Sequence, residues 1–119
     1  MYYGTSWGKK SSFSSPGPDD PVYRVTRYLY RHYPNTPVAV REEFFTNSHG
    51  TSIEESNPVE YLVYLLQDAE AYIKALGYTE ISLELRGCGD GPKDESSVEA
   101  FFLGERDATE DEIAKGEPA

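Results

Sequence analysis

The chain has 119 residues, 38% of them hydrophobic and 13% aromatic, with a formal net charge of −10 at pH 7. That length suits one domain and excludes two of ordinary size, while the lone cysteine excludes an internal disulfide and fits a reducing compartment. Neither an apolar run long enough to span a membrane nor a signal-peptide core is visible, so a soluble, cytoplasmic protein without membrane association is expected.

Residues 1–18 are rich in Ser, Gly and Pro and show no periodicity, which predicts a flexible tail ahead of a single α+β domain over 19–119. Tyr2, Tyr3, Trp7 and Phe13 are unusual in such a tail and give it aromatic groups for docking on the domain, a second copy or a partner. Asp20 suits a helix cap and Pro21 a first helical position. Val22, Val25, Leu29 and Tyr33 then follow a helical stripe until Pro34 stops it. An N-terminal helix is predicted here, although Val, Tyr and Thr also favour strands. Residues 36–45 alternate as a strand, with Val38, Val40 and Phe44 on one face.

The segment 57–77 carries the strongest helical signal. Asn57 caps, Pro58 starts, and Leu62, Leu65, Leu66, Ala69, Tyr72, Ile73 and Leu76 form one apolar stripe ending at Gly77. Residues 79–86 alternate Ile81, Leu83 and Leu85 with Glu80, Ser82, Glu84 and Arg86, a strand with one buried face. Residues 97–104 predict another strand with apolar groups on both faces, so Phe101 and Leu103 face either a core or a partner. Thr109 and Glu112 have capping-box spacing for a short last helix. The order α-β-α-β-β-α predicts an α+β fold: a small sheet of about three strands with a C-terminal hairpin, packed by one long amphipathic helix, an N-terminal helix and a short C-terminal helix.

Four segments are candidate sites. The loop Gly87-Cys88-Gly89-Asp90-Gly91-Pro92-Lys93-Asp94-Glu95 lacks the helix start of a phosphate cradle and the ligand pattern of an EF-hand. It reads as a turn, with Asp90, Asp94 and Glu95 as contact residues and no basic neighbour to activate Cys88. Residues 42–56, with His49, Ser48 and Thr51, form a long loop in which a Cys88–His49 catalytic pair is conceivable on composition alone. Arg24, Arg27 and Arg31 share one face of the predicted helix. Residues 1–41 carry six Lys/Arg against two Asp, whereas 42–119 carry five Lys/Arg against nineteen Asp/Glu. The arginines are therefore expected to pair with the acidic helix 58–76 or strand 79–86 rather than with phosphate, which the acidic half repels. Finally, Glu80 and Glu84 lie in a row along one strand face and offer negative charge to a partner.

The expected function is a small acidic protein-binding module without catalytic residues, metal ligands or cofactors. A nucleic-acid mimic that fills a basic groove is the alternative, followed by a weakly marked hydrolase or metal-dependent enzyme. Direct nucleic-acid binding is not expected; self-association through the Phe101/Leu103 face or the aromatic tail is compatible with the sequence.

Overall fold

Between residues 22 and 46 the chain is dense in Val, Tyr, Thr and Phe, which fit a pleated surface, and it folds there into two strands. The structure, a computed structural model, describes residues 4–14, 22–46, 58–88 and 97–119, with side chains for 4–10, 22–46, 63–85 and 100–119. Five strands and two helices follow in the order β1 (Thr5–Ser14), β2 (Tyr23–Arg31), β3 (Ala39–Thr46), α1 (Pro58–Ala75), β4 (Glu80–Cys88), β5 (Ser97–Asp107) and α2 (Glu110–Lys115). The strands form one antiparallel sheet in the order β1-β2-β3-β5-β4.

This architecture corrects the α+β expectation of a three-stranded sheet. The described residues are mostly antiparallel sheet, with five strands. Residues 23–31, predicted as the N-terminal helix, are β2, and residues 5–14 of the expected tail are β1. Bulges explain why the alternation was hidden. Arg24 pairs with Phe44 and Thr26 with Glu43, so β2 takes two steps while β3 takes one. The extra residue, Val25, puts Arg24 and Arg27 on the same sheet face although they are three apart, and three-apart spacing mimics a helix. In β1, Trp7 and Lys10 pair with Leu29 and Arg27 across a second bulge at Gly8, whose φ is 65°. A side chain there would also strike the Gly116 carbonyl at 2.2 Å. Only glycine fits.

Two of the locally coded elements form where their residues direct. The α1 helix ends at Gly77 with φ 100°. At the start of α2, the Thr109 hydroxyl accepts from the Glu112 N–H at 3.2 Å, and Glu112 Oε1 accepts from the Thr109 N–H at 2.9 Å. The β3–α1–β4 connection passes over β5, because β4 pairs on the far side of β5 from β3. Ala69 and Ile73 of α1 are fully buried against Leu29, Val40, Phe44 and Phe102. Leu66, Tyr72 and Leu76 pack at the margin, and Leu62 lies outside the described side chains. Gly104 of β5 permits the close approach, since a Cβ there would lie 2.8 Å from Tyr78 Cγ and 3.2 Å from Ile73 Cγ2. The segment after α2 covers the β1–β2 end of this face: Pro118 is fully buried, and Lys10 pairs with Glu117 at 3.6 Å.

Candidate functional site

The antiparallel registers fix what the uncovered face of the sheet presents. Residues directly opposite one another point to the same side, so three rows can be read across β2, β3, β5 and β4. The first is Tyr23–Phe45–Phe101–Glu84, the second Thr26–Glu43–Leu103–Ser82, and the third Tyr28–Arg41–Glu105–Glu80. In the first row the Tyr23 and Phe45 rings stack at 4.6 Å with an 8° interplanar angle, and Phe45 meets Phe101 at 6.2 Å. All three rings are half-buried, whereas Glu84, Glu43 and Glu80 are exposed. A groove of about 590 Å³ runs over these rows, with Val25, Phe45, Phe101 and Leu103 in its floor and Glu43 and Glu84 on its walls. That volume accommodates large side chains of a partner.

The third row is self-neutralising at its centre. Arg41 Nε donates to Glu105 Oε1 at 2.6 Å, its guanidinium lies 3.5 Å from the Tyr30 ring centroid, and Nη2 is 3.1 Å from His32 Nε2. Burial opposes the Arg41 charge, but the Glu105 contact outweighs it and raises the Arg41 pKa. Glu43, Glu80 and Glu84 are exposed on this face.

The sequence-predicted site residues are divided between the two faces. Phe101, Leu103, Glu80 and Glu84 come together on the open face. Arg24, Arg27 and Arg31 do not; all three lie on the covered side, at register with Phe44, Glu42 and Thr5. Arg24 donates to Glu42 through Nε at 2.6 Å and Nη2 at 2.8 Å, and the Tyr78 hydroxyl donates to Glu42 at 2.5 Å. The Glu42 bond raises the Arg24 pKa, and burial together with Glu42 raises that of Tyr78. Arg27 donates to the Ala119 carbonyl, and Arg31 lies 6.0 Å from the Trp7 ring centroid. The expected acidic partners on helix 58–76 and strand 79–86 are thus replaced by Glu42 of β3 and the C-terminal segment. Glu42 and Glu43, which the sequence places both in the strand 36–45 and at the start of the loop 42–56, belong to β3.

Gly87 and Cys88 continue β4 to its pairing with Val98 and Ser97, while Asp90, Asp94 and Glu95 lie outside the described residues, as do Ser48, His49 and Thr51. Among the described residues no three His, Cys, Asp or Glu side chains are grouped to hold a metal, and no helix is long and apolar enough to cross a membrane. Near the C-terminus the acidic residues do not all lie at the surface. Glu112 is buried, accepting from Arg106 at 2.7 and 2.9 Å and from the Ala119 N–H at 2.7 Å. Those bonds, Arg106 foremost, lower its pKa from 4.5 to about 2.

The sequence reading did not single out Tyr23, Phe45 and Glu43. The available signal was the Phe44-Phe45 pair: once Phe44 is assigned to the core face, Phe45 must face the other way. Comparison of the chain with protein-family models, with curated proteins and with solved structures gives no match.

Proposed function

We propose that this protein is a non-enzymatic binding module whose open sheet face receives a cationic, partly apolar segment of a partner protein. The observation that carries the reading is the Tyr23–Phe45–Phe101 ring row running into Glu84, with Glu43 on the neighbouring row. Ring faces and carboxylates both attract cations, and the aliphatic stem of an Arg or Lys side chain can lie on the rings while its head reaches a Glu. The opposite face is less suited to cations, because Glu42 is engaged with Arg24 and Tyr78, and Glu112 with Arg106.

Affinity capture with the wild-type chain and a Phe101→Ser variant, at low and high salt, tests this. Basic proteins retained by the wild type should be lost with Phe101→Ser and only partly released by salt, since ring contacts persist when charge is screened. An unchanged set of captured proteins for the two chains would remove the open face from the reading. The nucleic-acid mimic is the second reading, favoured by the exposed Glu43, Glu80 and Glu84 on one face. It requires complete release by salt and indifference to Phe101→Ser.

A further inference from the structure

The sheet has two edges of different construction. The β1 edge is interrupted by two register shifts, bent at Gly8 and carries Lys9 and Lys10, which are devices that prevent further strand pairing. The β4 edge carries Glu80, Glu84 and Arg86 but neither a register shift nor a bend. It pairs with β5 in unbroken register from Glu80↔Glu105 to Cys88↔Ser97, contains no proline, and no further strand pairs with it among the described residues. Alternate backbone N–H and C=O groups of such an edge point away from the sheet. Its side chains are also unusual for an edge: Leu83 and Leu85, on the α1 side, are 46% and 49% exposed, and Glu80 and Glu84 stand exposed on the open side.

We infer that β4 is a strand-addition site, taking an extended partner segment of alternating cationic and apolar residues as a sixth strand. The inference deepens the open-face reading and rests on it, because Ser82, Leu83 and Glu84 also line the groove. A strand laid along β4 places its successive side chains on opposite faces. Cations on one side meet Glu80 and Glu84; apolar groups on the other cover Leu83 and Leu85. On this side of β4 the two carboxylates outweigh the single Arg86, so the edge suits a cationic segment better than a second copy, whose own β4 brings the same excess of negative charge.

The probe is a blocked peptide of alternating Arg and Val, about eight residues long to match a strand, beside a peptide of the same composition with all Arg preceding all Val. The alternating peptide should bind the full chain at least about tenfold more tightly and slow hydrogen exchange of alternate amides within residues 80–88 by a similar factor, leaving β1 amides unchanged. Equal affinities of the two peptides, or protection of β1 in place of β4, would overturn strand addition. Phe101→Ser separates the two readings. Peptide binding that Phe101→Ser abolishes, without any slowing of β4 amides in the wild type, refutes strand addition and leaves the open face standing. Slowed β4 amides in both proteins support strand addition and refute the role of the ring row.

Discussion

Glu42 and Glu43 are neighbours in β3, yet Glu42 is fully buried between Arg24 and Tyr78 whereas Glu43 stands exposed beside the aromatic groove. The same contrast divides Phe44, sealed beneath α1, from Phe45, half-buried in the ring row. One step along a strand reverses the face, so identical residue types are sealed in the core or left open by parity alone. On the covered face, Arg24, Glu42 and Tyr78 satisfy one another, as do Arg106 and Glu112. On the open face, rings and carboxylates lie where a partner can reach them.

Substitutions at these neighbouring pairs test how strict that division is. Phe44→Ala should lower the unfolding free energy by about 3–5 kcal/mol in urea titration, as a buried Phe truncation does, and Phe45→Ala by about 1 kcal/mol. Equal losses would mean that the open face is as much core as the covered one. Glu42→Gln should cost about 3 kcal/mol by leaving Arg24 without its partner, while Glu43→Gln stays within about 0.5 kcal/mol. Tyr78→Phe, which removes one hydrogen bond to Glu42, sharpens the test with a loss of about 1 kcal/mol.

Acid titration probes the covered face from another side. The folded pKa of Glu112 is depressed from 4.5 to about 2, so below 4.5 the unfolded chain binds the proton more readily than the folded one. Its contribution, roughly up to 3 kcal/mol, is complete above that pH and is lost as pH falls towards 2. Thermal melts should therefore fall across this window, and Glu112→Gln should remove that part of the slope. A slope unchanged in the variant would place the acid sensitivity elsewhere. Phe101→Ser should also have a small stability effect, about 1 kcal/mol or less, accompanied by loss of partner binding. A large destabilisation there would return the ring row to the core.

The sequence by itself determined the elements whose information is local. The apolar stripe from Leu65 to Leu76, the Gly77 stop and the Thr109–Glu112 capping box lie within one helix each, and the alternation of Ile81, Leu83 and Leu85 lies within one strand. Phe101, Leu103, Glu80 and Glu84 could likewise be singled out, because an apolar second face and a carboxylate row are strand-local patterns. Only the tertiary structure decided the state of residues 22–31 and 5–14. Their Val, Tyr and Thr residues favour strands, but bulges at Val25 and Gly8 turn the period of two into steps of three and hide the alternation. Pairing with β3 supplies the hydrogen bonds that make β2 a strand, and β2 in turn orders β1. The same long-range pairing chose the arginines' partners: Arg24 meets Glu42, eighteen residues away, and Arg27 meets Ala119, ninety-two away. No local spacing encodes such contacts, because they arise when separate strands and the C-terminal segment close around one core.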